Sequence, residues 1–546
     1  MAEHASGWWQ SKILYQIYPR SFQDSNDDGI GDLPGIIQRL DHLNDGTEQS
    51  LGIGGIWLTP AYPSPNFDWG YDVSDYIAIH PDYGTLDDFD RLVVEAEKRG
   101  IHIVMDLVAN HSSYLHQWFH ESRSSRDNPK RDWYIWRDRS ESGGYPNNWS
   151  SVFGGGSGWE WDEHTEQYYY HAFLQEQPDL NWHNPDVREA IAEVMRFWMR
   201  RGVAGFRLDA IAHIGKHPDL PDNPLLPGVD PNAAPQWNTQ VHEFDQAYPV
   251  MHPWLEEMRR VADEFGALLI GEIYSIKPDT LAQFAGNKEL HSVFNFDLML
   301  SPWEAPRFRA AVDAFQVALG GSVWPSPVLN NHDNSRSFTR WDVPGQGARR
   351  AAVAALMLLS LPGTPYLYYG EEIGMHDVDI PKDRLLDPVG TWGWPEDKGR
   401  DPERTPMQWD STTHAGFSNA EPWLPVSPDA GEINAEAQTQ DSNSLLATYR
   451  RLGRLRNEYP ALSGGSYAPI DTDQESVWAF IRQAGDQAVV VALNFGDASV
   501  TVDLSSAGTA SRELYCTNPA ASPAEALGAV TLSGVSGRLL LRSGES

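Results

Sequence analysis

Short apolar runs recur along the chain, each followed by a loop and then by a segment whose apolar positions repeat at helical spacing. The runs at 13–18, 55–59, 101–108, 205–208, 268–273, 293–296, 328–330 and 364–369 predict strands. Amphipathic stretches such as 86–99, 187–201, 254–265 and 349–361 predict helices between them. Eight alternations of strand and helix predict an α/β fold, a (β/α)8 TIM barrel. An open doubly wound sheet is the alternative that this pattern leaves.

Two stretches break the rhythm. Residues 112–177, after the third strand, are rich in Trp, Gly, Asn and Ser and too long for a loop, so they predict an inserted subdomain. Residues 371–425, after the eighth strand, are Pro-rich and charged and predict a long loop subdomain. Beyond 465 the pattern changes again. The segments 476–482, 488–494 and 500–504 alternate or carry β-branched residues, with turn residues between them. The predicted layout is a barrel formed by 1–111 and 178–464, an inserted domain at 112–177, and a C-terminal all-β domain, a β-sandwich, at 465–546.

Composition narrows the partners. The 546 residues include 76 acidic and 41 basic side chains, a formal charge of −35. A surface this negative repels phosphate backbones and anionic lipids, so neither nucleic acid nor a membrane is expected as a partner. A small neutral or cationic ligand fits better. The single cysteine, Cys516, excludes an intrachain disulfide. The first residues carry no basic stretch followed by an apolar one, and the longest apolar run, 351–361, is too short to span a bilayer. A soluble cytoplasmic protein is expected; the oligomeric state is left open.

The chemistry of such a barrel sits at the C-terminal ends of its strands. There the third strand ends Asp106-Leu107-Val108-Ala109-Asn110-His111, the fourth Arg207-Leu208-Asp209, the fifth Gly271-Glu272, and the seventh Asn331-His332-Asp333. Four carboxylates, two histidines and an arginine converge on one mouth. Retaining glycoside hydrolysis needs two carboxyl groups about 5–5.5 Å apart, one an ionised nucleophile and one a protonated acid. Arg207, two residues before Asp209 on the same strand face, should keep Asp209 ionised. Glu272 has no cation adjacent in sequence and lies among like charges, which should raise its pKa. Asp333 can grip sugar hydroxyls, and His111 and His332 can donate hydrogen bonds to them. A metal-binding reading of the cluster is weaker, because no two ligands stand at i, i+3 or i, i+4 on a helix with a further His nearby.

The motifs DLVANH at 106–111, GFRLD at 205–209, Gly271-Glu272 and NHD at 331–333 resemble the α-amylase superfamily, glycoside hydrolase family 13, in order and spacing. QPDLN at 177–181, RTPMQW at 404–409 and GYDVSDY at 70–76 resemble its α-glucosidase and oligo-1,6-glucosidase branch. The resemblance runs from about Trp8 to the β tail. It implies Asp209 as nucleophile, Glu272 as general acid/base and Asp333 as transition-state stabiliser. It implies Arg207, His111 and His332 in the glucose subsite, with Asp68 paired to Arg404 on the non-reducing-end hydroxyls. Tyr71 would form a platform under the ring, and Phe153 would stack near the pocket or pack within the inserted domain. A pocket closed in this way limits attack to one terminal glucose.

After the first strand, Asp24-Ser25-Asn26-Asp27-Asp28-Gly29-Ile30-Gly31-Asp32 places oxygen ligands at alternate positions with Gly for the bend. Gly35 in the twelfth position excludes an EF-hand. The branch resemblance implies one structural Ca²⁺ (or Mg²⁺) held by Asp24, Asn26, Asp28, the carbonyl of Ile30, and Asp32. The alternative is a loop that holds itself through Asx turns. No organic cofactor is expected.

Two specificity signals disagree. Ala210, after the nucleophile, resembles the small residue that goes with α-1,4 bonds, whereas Gln177 belongs to a motif like that of the oligo-1,6-glucosidases. Ala210 carries more weight because it lies beside the scissile bond. An exo-acting α-glucosidase for short α-glucosides of maltose type is therefore expected. A transglucosylase or sucrose/trehalose-type isomerase is the rival, since it shares the chemistry up to the glucosyl intermediate. A non-catalytic transporter partner is disfavoured, because all three carboxylates are present and no membrane helix is predicted. Trp69, beside Asp68, is a further candidate for substrate contact. The loop 211–249 should shape the leaving-group side, but its sequence does not say how.

Overall fold

The computed structural model describes residues 7–542 other than 231, 232, 287, 322, 510 and 525. The outermost ends of the predicted barrel and C-terminal domains, 1–6 and 543–546, lie outside the described residues.

Leu14–Ile17, Gly55–Leu58, His102–Val108, Val203–Asp209, Leu268–Gly271 and Ser292–Val293 run parallel in chain order, and Tyr366–Tyr368 pairs with the first of them. Their residues are buried on both faces almost throughout, as expected of strands covered by helices outside and side chains inside. The seventh position differs from expectation. Residues 328–330 form no ladder; single parallel bridges, Phe294 with Ser326 and Val328 with Tyr366, span that side of the barrel. The sixth strand is shorter than expected, because the Asn295 side chain accepts from the Leu298 amide and starts the helix Phe296–Met299.

The helices follow their caps. Thr85 and Asp88 form a capping box at the start of Leu86–Glu97, and Asn184 followed by Pro185 opens Pro185–Arg200. His252–Asp263 and Gly347–Ser360 complete the predicted set. Residues 352–360 of the last helix are all buried, because the helix lies between the barrel and the C-terminal sheet.

Within the long insertion, Trp136–Arg137, Gln167–Tyr170 and Trp159–Asp162 form a small antiparallel sheet. Bridges from His111 to Asp179 and from Tyr134 to Leu180 tie its exit to the end of the third strand. The C-terminal part has a five-stranded antiparallel sheet in the order 466–470, 477–484, 487–494, 536–542, 511–516, and a two-stranded one of 500–502 and 530–532. Val490, Ala492, Leu540, Val530 and Leu532 meet in the core between them. Among the described residues no helix is long and apolar enough to cross a membrane.

Candidate active site

Parallel register sets the strand ends level. Asp106 pairs with Arg207 and Val108 with Asp209 across the third and fourth strands, and Leu208 pairs with Gly271, one residue before Glu272. Arg207 is therefore central. Its Nη1 donates to Asp106 Oδ1 at 2.8 Å and to Asp209 Oδ1 at 2.6 Å, and its Nη2 stands 2.8 Å from Glu272 Oε1. Glu272 Oε2 also accepts from the amide of Ala210 at 3.0 Å, which holds both carboxylates on one frame. Ala210 adopts φ 41°, a left-handed turn immediately after Asp209.

This corrects the expectation that one carboxylate has the cation and the other does not. Arg207 touches both. Burial pushes Asp209 up to about 7 against the pull of Arg207, with Asp106 and Asp333 adding to the rise. Burial likewise pushes Glu272 up to about 7, again against Arg207, with Asp209 and Asp333 adding to the rise. Both carboxyls are thus raised by burial, each against the pull of the one guanidinium they share. Asp333 behaves oppositely: burial would raise it, but His332, Arg404 and Arg400 hold it well below the usual carboxylate range.

A cavity of about 650 Å³ opens over these groups. Asp68, Tyr71, His111, Phe153, Asp209, Glu272 and Asp333 all line it. Arg207, His332 and Arg404 lie buried beneath, where they hold its walls. The Tyr71 ring stacks on His332, with centroids 5.3 Å apart and planes 11° apart, and its hydroxyl donates to Asp106 Oδ2 at 3.0 Å. His111 Nε2 sits 3.0 Å from the Tyr71 carbonyl.

The expected Asp68–Arg404 pair is not formed. Arg400 takes that place: its Nη2 donates to Asp68 Oδ1 at 2.7 Å and to Asp387 Oδ1 at 2.8 Å, and it lines the cavity. Arg404 instead donates to Asp333 Oδ1 at 2.7 Å and to the His332 carbonyl at 2.8 Å. The Phe153 ring packs against Arg400 at 5.0 Å and against Phe173 at 5.3 Å, which sets it in the pocket wall. Trp69 does not line the cavity; it packs against Trp423 and Arg20, and its Nε1 donates to the Leu386 carbonyl. Gln177 is buried and donates to Asp68 Oδ2 at 2.9 Å.

Arg400, Asp387, Phe173, Trp237, His242 and Tyr274 were not singled out from sequence. Arg400 stands four residues before Arg404, and two arginines in one irregular segment cannot be ranked without the turn at 401–403. Trp237 and His242 come from the loop whose shape the sequence left open.

In the acidic loop, Asp24 accepts from the amides of Asn26, Asp27 and Gly29, Asn26 from that of Asp28, and Asp28 from that of Ile30. Asp32 accepts from Gly35 and from the Ser25 amide and hydroxyl. Among the described residues no three His, Cys, Asp or Glu side chains stand together as a ready metal cage. The loop's own donors, carboxylate, amide and carbonyl oxygens alone, fit a hard divalent cation.

Paired carboxylates over one pocket at the strand ends of a barrel are the groups that glycoside hydrolysis uses. The family description "Alpha amylase, catalytic domain" matches residues 16–465, and the chain belongs to that family. It is 40% identical to the oligo-1,6-glucosidase of Parageobacillus thermoglucosidasius over 523 residues, 90% of this chain and 91% of that protein. It is 42% identical to a probable alpha-glucosidase of Rhizobium meliloti (strain 1021) over 514 residues, 91% of each. The crystal structure of the alpha-glucosyl transfer enzyme XgtA superposes with a TM-score of 0.90 at 38% identity, covering 99% of this chain and 100% of that one.

Proposed function

We propose that the protein is an exo-acting retaining α-glucosidase that releases terminal glucose from short α-glucosides, with maltose-type α-1,4 bonds favoured. The observation that carries this reading is the Asp68–Arg400–Asp387 network at the pocket wall. Two charged groups at the glycone end can grip the last hydroxyls of a terminal glucose and leave no room for a further sugar.

The reaction takes two displacements. Asp209 Oδ attacks C1 from one face while Glu272, in its protonated form, gives its proton to the leaving oxygen. The glucosyl ester on Asp209 is then opened by water, whose proton returns to Glu272. Arg207 stays with both carboxylates and offsets the charge that passes between them. Asp333, held ionised, grips hydroxyls of the distorted ring.

Gln177 supports the weight given to Ala210. Its amide acts on Asp68, at the glycone end, whereas Ala210 lines the cavity beside both reacting carboxylates. The relatives named oligo-1,6-glucosidase and alpha-glucosyl transfer enzyme favour a second reading, in which α-1,6 bonds or transfer to a second sugar lead. Initial rates of glucose release from maltose, isomaltose, sucrose and trehalose, with transfer products followed in the same samples, decide. Maltose well ahead of isomaltose is expected. Isomaltose ahead overturns the linkage assignment, and transfer products outweighing free glucose overturn the hydrolase assignment. We also assign one structural Ca²⁺ (or Mg²⁺) to the loop, through Asp24, Asn26, Asp28, the Ile30 carbonyl and Asp32, on the strength of its all-oxygen donor set.

A further inference from the structure

Trp69 holds a backbone conformation that its residue type disfavours. Asp68-Trp69-Gly70-Tyr71 is a tight turn, closed by the Tyr71 amide on the Asp68 carbonyl at 3.0 Å. Both central residues have positive φ, 47° at Trp69 and 108° at Gly70. Glycine and asparagine take such positions readily, whereas a bulky side chain there is strained. The two ends of the turn, Asp68 and Tyr71, line the cavity. Strain beside a site persists only where the surrounding contacts over-determine it.

Those contacts surround Trp69. Its carbonyl accepts from the Tyr18 hydroxyl at 3.3 Å. Its ring stands 5.1 Å from that of Trp423 and 5.3 Å from the Arg20 guanidinium. Its Nε1 donates to the Leu386 carbonyl at 3.2 Å, and that bond reaches the facing part of the pocket wall. There the Leu386 and Asp387 amides both donate to Asp401 Oδ2, at 2.6 and 2.9 Å. Asp387 in turn accepts from Arg400 through its amide, Nε and Nη2. Residues 386–387 and 400–401 are thus tied into one piece. It meets the 68–71 turn in two hydrogen bonds, Arg400 Nη2 to Asp68 Oδ1 and Trp69 Nε1 to the Leu386 carbonyl. One bond alone would let the two pieces pivot about it; two hold them at a fixed separation.

We propose that Trp69 is a positioning residue, whose indole N–H braces the 68–71 turn against the 386–401 segment and so keeps the Asp68–Arg400 pair closed across the glycone end of the pocket. The proposal rests on the exo-acting reading above and adds the residue, outside the cavity, that keeps that end shut. Glycine at 69 would take the turn without strain. It could not supply the brace.

The test compares p-nitrophenyl α-glucoside with its 4,6-O-ethylidene derivative. The cap bridges the two hydroxyls farthest from C1, where the closed end stands. The unaltered protein should release p-nitrophenolate from the free glucoside and little from the capped one. Trp69→Phe keeps a ring against Trp423 and Arg20 and drops the N–H. In this variant the ratio of kcat/KM, capped over free, should rise by about fivefold, the scale of one hydrogen bond. Trp69→Gly serves should the phenylalanine variant not fold, and its ratio should rise at least as far. A protein that is merely destabilised loses both rates together and keeps the ratio. A ratio unchanged in both variants overturns the brace and leaves the exo-acting reading standing. Equal rates on the two glucosides in the unaltered protein, or no release from either, overturn the exo-acting reading and the brace with it.

Discussion

Arg207 sets the terms at the scale of single residues. One guanidinium serves Asp106, Asp209 and Glu272, so neither reacting carboxylate has a private counter-ion. Burial pushes both Asp209 and Glu272 to about 7. The proposed double displacement needs Asp209 ionised and Glu272 protonated. Below that range the nucleophile is lost as Asp209 gains its proton. Above it the acid is lost as Glu272 releases its own. A bell-shaped profile of kcat/KM centred near pH 7 is expected from initial rates, and a profile flat from pH 5 to 9 would contradict these two roles. The carboxylates, His111 and Arg207 were legible in the sequence because strand ends in a barrel of this kind are fixed by parallel register. The Asp68 partner was not. Arg400 and Arg404 lie on irregular chain, where spacing does not say which way a side chain turns, and only the folded turn at 401–403 assigns them.

At the scale of elements, the helix Gly347–Ser360 ends against the C-terminal domain, where its last carbonyls would be buried without donors. Arg456 supplies them. It is fully buried and donates to the carbonyls of Leu359 at 2.8 Å, Leu361 at 3.0 Å, and Gly363. Arg482, from the C-terminal sheet, donates to Ser360 and Gly465. Arg456→Leu strands these acceptors and should lower stability by about 2 kcal/mol or more in urea unfolding; an unmoved midpoint would remove this role. The acidic loop makes a second prediction. Chelation of protein shown to carry the metal should lower Tm, because a ligand bound only by the folded state stabilises it. A Tm unchanged by EDTA would leave the loop held by its own Asx turns. Helices with strong caps were legible to within a few residues. The sixth and seventh strands were not, since Asn295 capping a helix and isolated bridges at 326–328 both look like strand in an apolar pattern.

On the scale of the whole molecule, a charge of −35 is spread over a barrel with an insertion and a β domain. Self-repulsion of this size favours the expanded state. Salt shortens its reach, from about 10 Å at 0.1 M to about 3 Å at 1 M. Tm should therefore rise between 0.05 and 1 M KCl, and a fall over that range would show that attractive surface pairs outweigh the repulsion. The order of barrel, insertion, barrel and β tail was legible in changes of composition and periodicity. The meeting of Phe173, His213 and Trp237 on the cavity wall was not, because Phe173 and Trp237 belong to two separate excursions from the barrel that meet only in three dimensions.

Retention and any glucosyl transfer both require that glucose pass through an ester on Asp209. Reaction with 5-fluoro-α-D-glucosyl fluoride, rapid acid quench, proteolysis and mass spectrometry test it in one measurement. A single added fluoroglucosyl group on the peptide that contains Asp209 is expected. The group on any other carboxylate, or turnover of the reagent with no adduct and with β-configured product, would contradict it.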